Sequence, residues 1–140
     1  MGLRPYFLGD TSALTRRSVR EVAKRLDPLL EAGLVARCTV TDLEAGFSST
    51  SACGHVAMRE ARRVWPFVPM SQDVLDRAVA VQDRLAERGQ HRGAKIADLL
   101  IAAAAEGAGL VVLHYDHDFE LISGVTGQPT EWIVPAGSVA

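Results

Sequence analysis

The chain has 140 residues, of which 48% are hydrophobic and 23% are charged, and its formal net charge at pH 7 is −2. These values are typical of a globular protein, and we expect residues 1–140 to form a single domain with its own core. The slightly negative charge excludes a protein that coats nucleic acid by bulk charge, although it permits an enzyme that acts on RNA. No apolar run reaches the ~18 residues that span a membrane. Two cysteines give no disulfide framework and favour a reducing cytoplasm.

Apolar residues predict strands that alternate with helices along the chain. The predicted strands are the short apolar runs at 6–9, 34–40, 110–113 and 130–134. The predicted helices have apolar residues at helical spacing and cover 19–32, 56–64, 71–88 and 96–105, and shorter helices begin at 41 and after 119. Strands that alternate with helices predict an α/β fold with a mainly parallel central sheet and helices on both of its faces.

The most informative stretch is Ile96–Ala105, in which nine of ten residues are apolar and the exception is Asp98. A helix that is apolar on nearly every side is buried on nearly every side. A carboxylate buried there loses its hydration, which costs several kcal/mol unless it has a partner such as an arginine, backbone N–H groups or a metal ion. The alternative is that Asp98 lies half-exposed in the first helical turn, where the helix dipole favours it.

Five carboxylates are expected at one edge of the sheet. Asp10 and Glu44 follow the first and second predicted strands, and Asp116 and Asp118 follow the third. Asp98 begins the helix that leads into the third strand, and a βαβ connection places the start of that helix at the carboxyl ends of the strands. Ligands of parallel sheets bind at this edge. The sequence therefore predicts that these side chains converge.

Each of these acids also has an ordinary structural explanation. Asp10 could cap a helix, Glu44 could close a capping box in Thr41-Asp-Leu-Glu44, and Asp116 and Asp118 could be turn or cap residues. Gathered at one edge, however, carboxylates repel one another, and a cation or a basic ligand relieves that repulsion. Carboxylates without cysteine or paired histidine suit Mg²⁺ or Mn²⁺, which in such sites orient a phosphate and activate water.

Other reactive side chains give weaker patterns. His114 and His117 flank the acids, and their spacing around a turn leaves a metal role open. Cys53 and His55 are close in sequence, but nothing in the pattern orients them as a nucleophile and its base.

Four acidic motifs, in order and spacing, resemble those of PIN-domain ribonucleases and most closely the VapC toxins of toxin–antitoxin pairs. The motifs are Asp10-Thr-Ser-Ala-Leu14, Thr41-Asp-Leu-Glu44, Asp98 in Ile-Ala-Asp-Leu-Leu-Ile-Ala-Ala, and Asp116-His-Asp-Phe119. The resemblance covers almost the whole chain. It implies a three-layer α/β/α sandwich, Mg²⁺- or Mn²⁺-dependent endoribonuclease activity, a homodimer and an inhibitory antitoxin.

The resemblance also implies roles for individual residues. Asp10 and Asp98 would be the primary metal ligands, Glu44 and Asp116 would complete the catalytic pocket, and Asp116 and Asp118 would be further metal ligands. Ser12 would form hydrogen bonds within the site. The family often has Thr or Ser two residues before the acid equivalent to Asp116, and this chain has His114 there, so the hydrogen bond of that hydroxyl is absent.

We therefore predict a metal-dependent endoribonuclease of the toxin class. Glu44 or Asp116 would assist as general base, and Arg92 and Lys95 approach the same edge as candidates to hold the RNA backbone. A non-toxin PIN nuclease in RNA processing and a PIN fold kept only for interaction are alternatives. A haloacid-dehalogenase-like phosphatase would need a second Asp where Ser12 stands. A receiver-like signalling module would need adjacent acids after the first strand and a lysine after the last strands.

Overall fold

Four parallel strands form the centre of the structure, a computed structural model that describes residues 4–140. The strands are β1 (Phe7–Gly9), β2 (Val35–Ala36), β3 (Val111–His114) and β4 (Thr130–Trp132). Their order in the sheet is β2-β1-β3-β4, and each neighbouring pair is parallel. The predicted parallel sheet is confirmed, with β1 and β3 at its centre.

Helices connect the strands, as parallel pairing requires. In the part of the chain that the structure describes they are α1 (Thr11–Leu14), α2 (Arg20–Glu31), α3 (Thr39–Phe47), α4 (Ala52–Arg62), α5 (Gln72–Glu87), α6 (Ile96–Ala108) and α7 (Asp118–Thr126). No helix between residues 4 and 140 combines the length and the apolar character that a membrane crossing requires.

Side chains that alternate along the strands divide the core into two clusters. Leu8 and Val112 pack with buried residues of α5, α6 and α7. Their strand neighbours Phe7 and Leu113 pack instead with α1 and α2. Because successive residues of a strand point to opposite faces, the two clusters lie on opposite sides of the sheet. The predicted α/β/α sandwich is confirmed.

The second predicted strand is too long. Residues 34–40 contain only the two-residue β2, and α3 already begins at Thr39. Cys38 is the N-cap of α3, and its backbone N–H donates to Thr41 Oγ1 over 2.9 Å. The prediction that a capping box joins Thr41 and Glu44 is therefore wrong, because Thr41 is the third helical residue and reaches back to Cys38. Glu44 lies one turn further along α3.

Other boundaries moved by a few residues for local reasons. Helix α4 begins at Ala52 rather than 56, because Ser51 caps it by accepting a hydrogen bond from the Gly54 N–H over 3.0 Å. Helix α7 begins at Asp118, before the predicted start after 119, and continues to Thr126. His114 is the last residue of β3 and not part of the following turn.

A buried ion-pair network joins α3 and α4 to Arg37, the residue that follows β2. The Asp42 carboxylate lies 2.5 Å from Arg37 Nη1 and 2.9 Å from Arg62 Nε, and Arg62 is buried. Arg59 Nη1 donates to the Asp42 carbonyl oxygen over 3.0 Å. A buried carboxylate paired in this way holds its neighbours in place, since loss of one partner leaves an uncompensated charge. The network fixes the helix that carries Glu44.

Candidate active site

Helix α6 delivers Asp98 to the edge of the sheet. Most of its residues are buried, and the Asp98 side chain is only 5% exposed. The helix ends at Gly109, whose positive φ of 70° lets the chain turn at once into β3. The expectation of a buried helix is confirmed, and the alternative of a half-exposed Asp98 is wrong.

Asp10 reaches the same edge from the end of β1. It is 3% exposed and caps α1, because its Oδ2 accepts hydrogen bonds from Ser12 N over 2.9 Å and from Ser12 Oγ over 2.5 Å. The Ser12 hydroxyl also accepts from Tyr115 N over 2.8 Å, so it ties the end of β1 to the end of β3. The second oxygen, Asp10 Oδ1, is buried and has no hydrogen-bond partner within residues 4–140. A buried oxygen left without a partner is costly and indicates a ligand.

Three of the acids form a compact group, which we name the acidic triad: Asp98, Asp116 and Asp118. One oxygen of each lies within 4.8 Å of the others. The Asp118 N–H donates to Asp116 Oδ1 over 2.9 Å, which fixes the loop between β3 and α7. The Lys95 ammonium contacts all three, at 2.9 Å from Asp116, 3.0 Å from Asp118 and 3.4 Å from Asp98. Sequence reasoning placed Lys95 at this edge but did not foresee these contacts.

Glu44 borders the Asp10 side of the site. Its Oε1 accepts a hydrogen bond from Thr11 Oγ1 over 2.8 Å, and the residue is half-buried. Burial is the main reason that the pKa of Asp10 is raised, and the negative charges of Glu44 and Asp116 raise it further. The predicted convergence is thus visible in the electrostatics: acids from four parts of the chain act on one another.

Burial also raises the pKa of Asp98, to about 8, and a hydrogen bond with Asp118 and the charge of Asp10 add to the shift. For Asp118, burial acts upward, but hydrogen bonds from Asp98 and Lys95 outweigh it and lower the pKa. Of the two carboxyl groups, Asp98 is the more buried, and it is the one whose pKa is raised. The hydrogen bond to Asp116 is the main reason that the pKa of Lys95 is raised, so Lys95 is charged.

The two histidines beside the acids pack against aromatic rings. His114 is fully buried between Phe119 and Trp132, with ring centroids 5.0 and 4.9 Å away, and burial lowers its pKa to about 4. Its Nδ1 accepts a hydrogen bond from Asp116 N over 3.1 Å, so position 114 orients the acidic loop through an imidazole nitrogen instead of the expected hydroxyl. His117 is exposed, and its ring packs on Trp132.

The remaining candidates form no ion pair or hydrogen bond with the triad within residues 4–140. Arg92 is exposed in the loop that precedes α6, three residues before Lys95. Cys53 is exposed, and His55 lies 3.2 Å from the Ser49 hydroxyl, so the two do not form the arrangement of a nucleophile and its base.

The donor set fits a hard divalent cation. All the candidate ligand atoms are carboxylate oxygens, which Mg²⁺ and Mn²⁺ prefer over nitrogen and sulfur. The buried, unpartnered Asp10 Oδ1 supplies one free oxygen, and the acidic triad supplies a group close enough to share an ion.

A family model described as a PIN domain matches residues 8–125, a range that contains all five acids. The chain belongs to the PIN-domain family. Among the relatives of this PIN domain is Ribonuclease VapC51 of Mycobacterium tuberculosis, which is 48% identical over 133 residues, or 95% of this chain and 96% of the relative. Ribonuclease VapC21 of the same species is 45% identical and covers 94% of this chain and 96% of its own length.

Solved structures share the PIN fold at lower sequence identity. The DNA-bound VapBC of Salmonella typhimurium aligns with a TM-score of 0.74 at 17% identity, over 94% of this chain and 100% of that chain. A toxin–antitoxin complex from Klebsiella pneumoniae aligns with a TM-score of 0.68 at 23% identity, over 91% of this chain and 97% of that chain. These likenesses show that this PIN domain shares the fold of the aligned chains.

Proposed function

We propose that this chain is a Mg²⁺- or Mn²⁺-dependent endoribonuclease that acts as the toxin of a toxin–antitoxin pair. The observation that carries the proposal is the unpartnered oxygen of buried Asp10, in a site where Asp98, Asp116 and Asp118 also present carboxylates. RNA as the substrate is supported by relatives named ribonucleases at 45–48% identity over nearly the whole chain.

In this proposal the acids hold the metal and the neighbouring groups position them. Asp10 and Asp98 are the primary ligands, and Asp116 and Asp118 complete the set. The ion held by these residues would supply polarisation of the scissile phosphate and a lower pKa for a bound water. Ser12 occupies Asp10 Oδ2 with two hydrogen bonds, so that Oδ1 is the oxygen left for the ion.

Proton transfer and RNA binding fall to the half-buried and exposed side chains at the rim. Glu44 and Asp116 are both accessible enough to take a proton from the attacking water, and Thr11 holds the Glu44 carboxylate in place. Arg92 and Lys95 are the cations beside the acids, and their charges suit the phosphates of RNA. Arg92 is exposed, so its side chain can follow a flexible RNA strand.

The partners in this proposal are an antitoxin protein and a second copy of the chain. The proposal also places the chain in the cytoplasm and treats it as a single PIN domain. Fold neighbours are VapBC complexes, which supports an antitoxin partner. Exposed apolar side chains support contact with a protein: Phe47 is 92% exposed and Leu43, one turn earlier on α3, is 63% exposed. Large apolar groups in water commonly mark such contacts.

The toxin assignment predicts growth arrest. Expressed alone in a bacterium, the wild-type chain should stop growth, and Asp98→Asn should not, because it removes a metal ligand and keeps the side-chain shape. Asp83→Asn is the matched control, since Asp83 is an exposed residue of α5 remote from the acids in sequence, and it should arrest growth like the wild type. Unimpaired growth of all three strains at matched expression would refute the toxin role and favour a non-toxin nuclease.

A further inference from the structure

The chain carries its own cation inside the proposed metal site. Lys95 Nζ lies within hydrogen-bond distance of one oxygen from each member of the acidic triad, at 2.9 Å from Asp116, 3.0 Å from Asp118 and 3.4 Å from Asp98. An ammonium group has three N–H donors, so it can serve three acceptors at once. Within residues 4–140 no other lysine or arginine forms an ion pair with this triad.

We propose that the Lys95 ammonium is the resident cation of the acidic triad, and that a divalent ion reaches these three carboxylates only by displacing it. The inference rests on the proposed metal site. A Mg²⁺ ion bound by three carboxylate oxygens needs each of them at about 2.0–2.1 Å, which leaves no space for an ammonium among the same atoms. Lys95 and a divalent ion therefore compete for the triad.

Displacement requires the side chain alone to move. The Lys95 side chain is 66% exposed, so little packing is lost when it swings into solvent. The backbone of Lys95 stays in place as the N-cap of α6, and its N–H donates to Asp118 Oδ2 over 3.3 Å independently of the side chain. The displaced ammonium remains tethered beside the triad, where an RNA phosphate would lie. One residue thus offsets part of the negative charge of the acids before the ion binds and is released toward substrate afterwards.

Asp10 takes no part in holding the Lys95 ammonium. Lys95 makes no hydrogen bond with Asp10 in the described part of the chain, and Asp10 Oδ1 has no hydrogen-bond partner there. Removal of the lysine should therefore alter ion binding at the triad and leave the Asp10 side of the site as it is.

The test compares Mn²⁺ binding by the wild type, Lys95→Met and Lys24→Met, measured by calorimetry on protein freed of metal and RNA. Lys95→Met should bind Mn²⁺ roughly tenfold more tightly, a change of about 1.4 kcal/mol. Lys24→Met makes the same change on the exposed surface of α2, which packs on the other face of the sheet from α6, so it should bind like the wild type. Equal affinity of all three proteins would overturn the inference and leave the metal site intact. Absence of Mn²⁺ binding in all three would overturn both.

A second measurement does not depend on the metal. In EDTA at pH 7, Lys95→Met should melt several degrees below the wild type, because the triad loses its counter-ion. Saturating Mn²⁺ should remove that difference, and Lys95→Arg should melt like the wild type. A Lys95→Met protein that melts like the wild type in EDTA would show that the ammonium is solvated, and the inference would be wrong.

Discussion

Asp10→Asn and Asp98→Asn should each reduce RNA cleavage by about a hundredfold or more, the effect of losing several kcal/mol of transition-state stabilisation by a metal ion. Asparagine keeps the shape of each side chain but carries no negative charge with which to bind a cation. Burial raises the pKa of Asp98 to about 8. Asparagine resembles the protonated form of this carboxyl group but cannot ionise. The measurement is the rate of cleavage of a defined RNA with saturating Mn²⁺.

The control for this prediction separates chemistry from folding. Asp83→Asn makes the same change on the exposed surface of α5 and should cut RNA at the wild-type rate. Circular dichroism and thermal melts should show both site variants folded. Cleavage that survives in both site variants would mean that the buried acids do not hold the catalytic ion.

Without metal, the protein should become less stable as the pH rises from about 6.5 to 8. The folded-state pKa of Asp98 lies at about 8, above the ordinary value of 3.8, so its contribution to stability is complete at low pH and is lost as the pH rises toward 8. Asp10 is shifted in the same direction by burial. Two groups have the opposite effect, because their pKa values are lowered in the folded state. His114, with a pKa lowered to about 4, reduces stability only as the pH falls below about 6.5. Asp118, whose pKa is also lowered, reduces stability only as the pH falls below about 4. The window above pH 6.5 therefore isolates the buried acids.

Thermal melts in EDTA at pH 6.5 and pH 8 test this dependence. The wild type should lose several degrees more than Asp98→Asn between the two pH values, because asparagine has no proton to release. The stabilisation by Mn²⁺ should be larger at pH 8, where the ligands give up protons more readily. Parallel losses in the two proteins would show that Asp98 does not carry the raised pKa.

The parts of the fold that follow from periodicity were predictable. Buried strands and the amphipathic pattern of 71–88 predicted the parallel sheet and α5, because each pattern is set by which faces are buried. The error at 34–40 arose because the residues after Ala36 include β-branched side chains, which favour strands. A local contact decided otherwise: Thr41 caps its own helix through Cys38.

The candidate site was likewise predictable only in part. Strand order alone placed Asp10, Asp98 and the acids after β3 at one edge, because the carboxyl ends of parallel strands meet there. The contacts of single side chains were not predictable. The pairing of Asp42 with Arg62 joins residues 20 apart on different helices. The contacts of Lys95 with the triad depend on the conformation that its side chain adopts at the start of α6. Such contacts depend on how packed elements bring distant side chains together, which periodicity does not encode.

The central claim is that one carboxylate-held metal site cuts RNA, and restoration of cleavage to metal-stripped protein tests it most directly. Wild-type protein treated with EDTA and then freed of the chelator should be inactive on RNA. Addition of Mn²⁺ or Mg²⁺ should restore cleavage in the wild type and not in Asp98→Asn. Cleavage that persists in excess EDTA, or that neither ion restores to a folded wild-type protein, would contradict the account.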